Sequence, residues 1–176
     1  MYDERRQIVG ELYSSSEMDC TLQRDDYGRT TYASNDAAQT AYLLNAVGGA
    51  TNEVWTVCDA TATMTRTFDT ADRLTGLAIS GQDYEQFLAY STNGVLSVIS
   101  NSDAVVTYAY SDDLRDVGYS IVFANGGAFA RTLSRDPFRR DLIQSVTNAC
   151  GGNTHTLEYS YDALSRPISR NTDTFG

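Results

Sequence analysis

Carboxylates are the residues of this chain whose type and number could do chemistry. Of 176 residues, 23 are acidic and 13 basic, and 17 of the acidic residues are aspartates. Two aspartates that share one proton form the catalytic pair of aspartic peptidases. The candidates for such a pair are two adjacent doublets and two single aspartates: Asp25, Asp26, Asp112, Asp113, Asp69 and Asp136. None of them begins the Asp-Thr/Ser-Gly turn typical of pepsin-like enzymes.

Metal, redox and nucleotide chemistry are excluded by counts and spacing. A site of several histidines cannot form because His155 is the only histidine. The cysteines Cys20, Cys58 and Cys150 form no Cys-x-x-Cys pair, and they allow at most one disulfide, whose pairing stays open. Cys150 and His155 flank a Gly-Gly turn, which favours a solvated loop over a nucleophile and its base. No glycine-rich phosphate loop is present, so we predict neither a metal nor a cofactor.

Charge excludes a further set of partners. The formal net charge is -10, and all 13 basic residues are arginines, so phosphate backbones and anionic lipid surfaces would be repelled. No apolar run approaches the roughly 18 residues of a membrane-spanning helix. The first residues carry no apolar signal-peptide core. We therefore expect no nucleic acid, no membrane insertion and no visible secretion signal.

A short pattern repeats along the chain and sets the elements that position these aspartates. An aromatic residue at position 0 is followed by Asp at +1, often Gly at +4, Arg at +5 and then an apolar residue, as in Tyr161 to Ile168. Full or degenerate copies have their position 0 at residues 2, 24, 68, 90, 110, 135 and 161, with spacings of 22, 44, 22, 20, 25 and 26 residues. The spacing of 44 residues predicts one further degenerate copy near Ala46 to Thr51.

Apolar and polar residues alternate on both sides of each copy, which indicates strands with one buried face. Asn- and Gly-rich segments such as 124–127 and 149–153 separate the copies and favour tight turns. We therefore predict an all-β chain of consecutive antiparallel hairpins in a strongly curved sheet. Residues 1–176 would form one domain of about seven or eight units of 20 to 26 residues. The predicted hairpin tips are 26–28, 70–72, 92–94, 112–114, 137–139 and 163–165.

A curled sheet would bury its aromatic face. The residues that we expect in this core are Tyr108, Tyr110, Tyr119, Ile121, Phe123, Tyr159 and Tyr161.

The repeated Asp and Arg are predicted to have a local, structural role. The Asp side chain can accept hydrogen bonds from the amides of its own turn, Gly allows an unusual backbone angle, and Arg returns on the next strand. We expect Asp69 to pair with Arg73 and Asp162 with Arg166. Equivalent aspartates of successive hairpins would lie about 10 Å apart, too far to share a proton. The predicted structural set is Asp3, Asp25, Gly28, Arg29, Asp69, Arg73, Gly94, Arg115, Asp136, Arg140, Asp162 and Arg166.

This pattern resembles the signature of the Rhs or YD-repeat family, in which Tyr-Asp is followed by two variable residues and then Gly-Arg. The resemblance covers most of the chain. The family includes bacterial Rhs toxins, insecticidal toxin-complex shells and teneurins, and it implies hairpins that coil into a continuous spiralling sheet. Large members enclose a toxin and release it with an aspartyl-protease core. This chain lacks the glycine-rich Asp-Pro-x-Gly-Leu end motif of that core, since Asp136-Pro137 is only a fragment of it in an ordinary repeat position. Both chain ends resemble cuts from a longer array.

Three functional hypotheses follow. The first is a non-catalytic structural or interaction module whose partners are neighbouring repeats of a longer chain, or further copies that pair through sheet edges. The second is a small aspartic endopeptidase that cuts extracellular, mucin-like glycoproteins. The third is glycan or protein binding through Trp55 and the 12 tyrosines. The family resemblance implies an extracellular or cell-surface location.

Overall fold

A computed structural model describes residues 1–12, 19–139 and 141–173, and all their regular secondary structure is β-strand. The all-β prediction is confirmed. The strands are β1 Gly10–Glu11, β2 Cys20–Arg24, β3 Thr30–Ser34, β4 Ala38–Leu44, β5 Ala50–Val57, β6 Ala60–Phe68, β7 Leu74–Ile79, β8 Tyr84–Tyr90, β9 Leu96–Ser100, β10 Ala104–Tyr110, β11 Asp116–Phe123, β12 Ala128–Arg135, β13 Ile143–Cys150, β14 Asn153–Tyr161 and β15 Pro167–Thr172.

The 15 strands are antiparallel and follow chain order in the sheet. The chain divides into two compact units, Met1–Gln86 and Phe87–Gly176. In the first unit, for example, β4 pairs with β5 from Ala38 opposite Val57 to Leu44 opposite Ala50. In the second, β13 pairs with β14 from Ser145 opposite Glu158 to Cys150 opposite Asn153. Each pair is a hairpin of neighbouring segments, as the repeat predicts.

Two kinds of turn alternate along the chain. Every predicted hairpin tip falls in a connection between strands, so these positions are confirmed. The opposite ends carry the other turns. Cys58 and Asp59 join β5 to β6 with φ of 47° and 68°, and Gly151 and Gly152 join β13 to β14 with φ of 58° and 86°. Two consecutive positive φ values match the right-handed twist of a two-residue hairpin.

The two faces of the sheet differ in side-chain size. On β10, Val106, Tyr108 and Tyr110 are half-buried on one face, whereas Val105 and its alternate neighbours on the other face are exposed. On β6, Thr63, Thr65 and Thr67 alternate with Met64, Arg66 and Phe68, and the hydroxyl groups of Thr67 and Thr75 are hydrogen-bonded at 3.1 Å. The alternation of period two that the sequence shows therefore separates a half-buried face with many large side chains from a more exposed face that is rich in Ser, Thr and Ala.

The predicted aromatic core is wrong. Among the described residues, Val146 is the only buried hydrophobic side chain, at 4% exposure. Six of the seven predicted core residues are only half-buried, and Phe123 is 41% exposed. Within each unit, the strand pairs with described contacts are sequence neighbours in the sheet, so no second layer from the same unit covers the large-residue face. A sheet needs such a layer to bury a face completely.

The outer edge of β15 is open in the described part of the chain. β15 pairs with β14, with Leu157 opposite Thr172 and Tyr159 opposite Arg170. The Asp173 amide donates to the Thr156 carbonyl at 3.1 Å. Hydrogen-bonded and non-bonded pairs alternate along an antiparallel ladder. The amides of Arg170 and Thr172 therefore point away from β14, and all residues of β15 are exposed.

Candidate functional site

The turn at Asp69 shows what Asp at +1 and Arg at +5 do in the repeat. The Asp69 amide donates to the Arg73 carbonyl, and the Asp72 amide donates to the Asp69 carbonyl, both at 3.0 Å. One carboxylate oxygen, Oδ1, accepts the amides of Ala71 at 2.9 Å and Arg73 at 3.0 Å. The other, Oδ2, accepts Arg73 Nε at 2.8 Å. The side chain at +1 therefore ties the whole turn together.

The same bonds recur at other copies. Asp25 accepts the amides of Tyr27 and Arg29 and the Arg29 Nε, the last at 2.6 Å. Asp162 binds the Leu164 and Arg166 amides and the Arg166 Nε, the last at 2.7 Å. The predicted pairs Asp69–Arg73 and Asp162–Arg166 are present. Asp3 accepts the amides of +3 and +5 in the same way.

Position +4 has a positive φ whether or not it is glycine. Its φ lies between 58° and 98° at seven copies, namely Arg6, Gly28, Gly48, Asp72, Gly94, Leu114 and Ser165. Non-glycine residues adopt this left-handed region at an energetic cost. The turn therefore holds its shape through its hydrogen bonds, and the frequent Gly at +4 lowers that cost.

The degenerate copy predicted near Ala46 to Thr51 is a turn of the same kind. Asn45 occupies +1, and its Oδ1 accepts the amides of Val47 at 3.2 Å and Gly49 at 2.7 Å. An amide oxygen thus replaces the carboxylate oxygen. Gly49 occupies +5, so this turn has no arginine of its own to pair with a negative charge.

The copy at Asp136 departs from the pattern because its turn is longer. The Asp136 amide donates to the Leu142 carbonyl at 3.0 Å, two residues beyond the usual acceptor. Asp136 accepts the amides of Phe138 and Arg139, and its Oδ2 lies 3.2 Å from Arg139 Nη2. Arg139 therefore has the role that the sequence assigns to Arg140. Arg140 itself lies outside the described residues.

Arginines also link successive turns, which the sequence analysis did not anticipate. Arg29 holds Asp25 with Nε and donates from Nη1 to the Asn45 carbonyl of the next turn at 3.2 Å. Arg139 donates from Nη1 to the Asp162 carbonyl at 2.7 Å. Arg115 pairs with Asp113 at 3.0 Å and also with Asp141 in the following turn. The role of Arg is therefore not purely local, because the planar guanidinium has donors in two directions.

The side chain at position 0 links each hairpin to the one before it. The hydroxyl of Tyr110 donates to the Leu96 carbonyl, and that of Tyr161 donates to the Ile143 carbonyl, each at 2.8 Å. Leu96 and Ile143 are the first residues of β9 and β13. The acceptor is thus the first carbonyl of the second strand in the preceding hairpin.

Arginine makes the same contact where the aromatic residue is missing. Arg135 Nη2 donates at 3.1 Å to the carbonyl of Asp116, the first residue of β11. Arg24 Nε donates to the Ile8 carbonyl at 3.2 Å, six residues after the position 0 of its preceding copy. In the sequence, Arg24 and Arg135 stand at position 0 where other copies have an aromatic residue. In the structure they donate the hydrogen bond that the tyrosine hydroxyl donates elsewhere. Their recurrence at position 0 was the signal that could have shown this.

A β-bulge accompanies these turns. The register shifts between positions -1 and 0 in all seven described hairpins of this kind, for example at Thr67/Phe68 and Ser160/Tyr161. At two bulges a hydroxyl of the second strand donates back to the carbonyl at -1: Thr51 to Leu43 at 3.0 Å and Ser97 to Ala89 at 3.1 Å. A bulge bends its strand and increases the local twist.

The turn hydrogen bonds lower the pKa of the repeated aspartates. The Arg73 guanidinium and amide lower the pKa of Asp69, and the amide and guanidinium of Arg166 lower that of Asp162. Amides of Arg139 and Phe138 lower the pKa of Asp136. Burial raises the pKa of Asp25, but the Arg29 amide and guanidinium and the Tyr27 amide outweigh it. These bonds favour the charged form. In a pair of carboxyls that share a proton, one of the two has a raised pKa, whereas the pKa of each of these four aspartates is lowered.

The structure places the catalytic candidates in three places. Asp112, Asp113 and Asp136 line an open cleft of about 520 Å³ between two successive turns, together with Arg115 and Arg135. Asp25 and Asp26 line a second cleft of about 370 Å³, where the Asp26 side chain is fully exposed. Asp69 lines neither cleft. The catalytic role of these residues stays a prediction.

The remaining chemical candidates lie in ordinary strand positions. His155 is opposite Asn148 and Cys150 is opposite Asn153. The three cysteines are free thiols. The Trp55 indole donates to Glu53 at 2.9 Å, and Glu53 also pairs with Arg66 at 2.9 Å. Within the described ranges, no three His, Cys, Asp or Glu side chains are grouped so that they could hold a metal ion. The same residues include no helix that is long and apolar enough to cross a membrane.

Comparison with known proteins identifies the fold. No protein-family model matches the chain, and no curated protein matches it. Among solved structures, the crystal structure of TcdB2-TccC3-Cdc42 is 10% identical with a TM-score of 0.51, covering 85% of this chain and 10% of that chain. The Photorhabdus luminescens Tc holotoxin pore, with a substituted TccC3, is 15% identical with a TM-score of 0.52, covering 88% of this chain and 11% of that chain.

These likenesses define an Rhs-like β-sheet fold. At this identity they concern the fold alone. The chain spans about one tenth of the length of the toxin chains that it matches.

Proposed function

We propose that the chain is a non-catalytic structural module, a length of hairpin-repeat sheet that acts by pairing its edges with neighbouring hairpins. The observation that carries the proposal is the double use of the repeated residues. Asp closes its own turn, Arg reaches from one turn to the next, and the residue at position 0 bonds to the preceding hairpin. These residues therefore form hydrogen bonds that join each hairpin to the next. The likeness to chains of multi-chain Tc toxin assemblies supports the proposal of a structural module.

The open edge of β15 gives a direct test. Arg170→Pro removes an amide that points away from β14, so it should block pairing at the outer edge and leave the β14–β15 ladder in place. We expect the unsubstituted chain to associate in sedimentation velocity experiments and the proline variant to lose that association. Arg170→Ala is the matched control and should still associate. Equal association of all three chains, with unchanged circular dichroism, would contradict edge pairing through β15.

An aspartic endopeptidase is the second candidate, and one observation favours it: Asp112, Asp113 and Asp136 line one cleft. Its test is cleavage of a mucin-type glycoprotein at acidic pH, with and without a pepstatin-like inhibitor. Activity that is lost in Asp112→Asn or Asp136→Asn and blocked by the inhibitor would establish it. Cleavage that survives these changes would assign the activity to a contaminant.

We also propose an extracellular or cell-surface location, on the basis of the family resemblance. Labelling of intact cells with an impermeant thiol reagent tests it, because Cys58 and Cys150 are exposed. Failure to label in intact cells, with labelling after lysis, would contradict a surface location.

A further inference from the structure

The outer edge of β15 carries a backbone carbonyl, that of Pro167, whose equivalents in three earlier hairpins each accept a hydrogen bond from the following hairpin. This inference rests on the proposed function. At four hairpins, the side chain at position 0 donates to one carbonyl of the preceding hairpin. Where the bulged second strand is described, this carbonyl belongs to its first residue, as at Leu96, Asp116 and Ile143. The equivalent residue of the last described hairpin is Pro167, which begins β15 and is exposed.

The donors show which chemistry this carbonyl accepts. Tyr110 and Tyr161 use a hydroxyl group, and Arg24 and Arg135 use a guanidinium. Both side chains are long and end in a donor, so they span the same distance between strands. Leu44 and Phe68 occupy position 0 on β4 and β6, and these strands still pair with β3 and β5 of the preceding hairpins. The contact therefore adds selectivity to strand pairing rather than being required for it.

The arginine that pairs with the turn aspartate supplies a second, outward donor. Arg29 and Arg139 each donate from Nη1 to a carbonyl of the next turn. Their side chains are 30% and 36% exposed, whereas that of Arg166, the last described copy, is 72% exposed. Asp162 already accepts Arg166 Nε at 2.7 Å, which orients the guanidinium at the end of the turn.

We propose that the partner of the β15 edge is a hairpin strand with Tyr or Arg at the position equivalent to Tyr161. Its hydroxyl or guanidinium donates to the Pro167 carbonyl, and Arg166 donates to a carbonyl of the partner's turn. The edge thereby selects hairpins of its own kind from strands that could pair only through backbone groups.

The test extends the full chain by one hairpin. A copy of residues 151–172 is added directly after Thr174, in place of residues 175–176, with Tyr, Arg or Phe at the copied position 161. This spacing gives the copied position 161 the same register to Pro167 that Tyr161 has to Ile143. Hydrogen exchange of the Arg170 and Thr172 amides is then measured by NMR. We expect strong protection in the Tyr and Arg forms and about 2- to 12-fold less protection in the Phe form, the range of one net hydrogen bond.

The outcomes separate this inference from the proposed function. If the added hairpin protects neither amide in any form, edge extension itself is wrong. If it protects them equally with Tyr, Arg and Phe, the sheet extends but the selectivity for Tyr and Arg is wrong.

Arg166 is tested by comparing two single substitutions in the extended chain. Arg166→Lys should reduce protection of the Arg170 amide more in the extended chain than Arg73→Lys, the same change at an interior turn. Equal effects of the two changes would show that Arg166 does not contact the added hairpin.

Discussion

At the scale of the residue, the carboxylate of the repeated turn does two separable things. Its Oδ1 closes the turn, a task that the amide oxygen of Asn45 performs equally well. Its charge holds the guanidinium of the turn arginine, and two of these arginines, Arg29 and Arg139, also reach the next turn. An Asp→Asn change therefore removes the ion pair and keeps the turn. This substitution therefore measures the contribution of the ion pair to stability separately from that of the turn hydrogen bonds.

The lowered pKa of Asp162 predicts a loss of stability in acid. The folded pKa lies below the unfolded value of about 4, so the stabilisation is complete above that pH and disappears as the pH falls through the folded value. We expect urea unfolding midpoints to fall steeply below about pH 4 and to fall less steeply in Asp162→Asn. Asp36→Asn, at an exposed residue of the other kind of turn, is the control. An identical acid profile for all three chains would contradict this account.

Gly118 is a second residue with a specific requirement. Its φ is 137°, and an added Cβ would overlap the carbonyl of Arg131 on the neighbouring strand. Gly118→Ala should lower the free energy of unfolding by about 1 to 3 kcal/mol from backbone strain, with the overlap adding to this. Gly126→Ala is the control, because Gly126 also has a positive φ of 84° but has open space around it. Chemical denaturation compares the two. Equal losses would mean that the overlap relaxes at no cost.

At the scale of the element, the hairpin is defined by its bulge and by the donor at position 0. In both units, the large residue at position 0 shares a face with those at -2 and -4. The side chain at position 0 donates to a carbonyl of the preceding hairpin. Each such hairpin is therefore stabilised by the hairpin before it as well as by the hydrogen bonds between its own two strands. The tyrosine hydroxyl at position 0 therefore links successive hairpins.

Tyr161→Phe isolates that hydroxyl. The change removes the bond to the Ile143 carbonyl and should reduce the free energy of unfolding by about 0.5 to 1.5 kcal/mol. Tyr161→Arg should restore most of the loss, since Arg24 and Arg135 make this contact. Tyr159→Phe, on the same strand and face, is the control. A loss at Tyr159 as large as that at Tyr161 would show that general packing, not this bond, matters.

The sequence predicts the hairpins well because their signals are local. Alternation from Val106 to Tyr110 and the Asp, Gly and Arg offsets lie within a few residues, where side-chain and backbone preferences act directly. The links between successive turns are not predicted because they join residues such as Arg139 and Asp162 that are far apart in the chain. The core was wrong for a related reason. Alternation shows that one face is apolar, but it does not show what covers that face.

At the scale of the whole molecule, long-range repulsion competes with short-range pairing. The net charge is -10, and the exposed turns carry many of the carboxylates, such as Asp26, Asp112 and Asp141. Copies repel one another at a distance, while the open backbone groups of β15 attract at contact. The balance depends on ionic strength, because salt screens charges over about 10 Å at 0.1 M.

Association should therefore increase with salt. Light scattering from 0.02 to about 0.5 M NaCl should show a rising mass, with the largest change where the screening length falls below about 10 Å. Arg170→Pro should flatten this dependence. A mass that stays monomeric at every salt and protein concentration would show that the β15 edge is blocked.

Strand order also determines how the chain responds to force. Within one hairpin, such as β13–β14, tension on its two open ends acts across the strands and along the direction of their hydrogen bonds. The rungs at an end strand then carry the load one after another, as in a zipper, instead of sharing it. Such a sheet yields at low force, one hairpin at a time. The bonds between turns, such as that from Arg139 to Asp162, mark the points at which each opening step would pause.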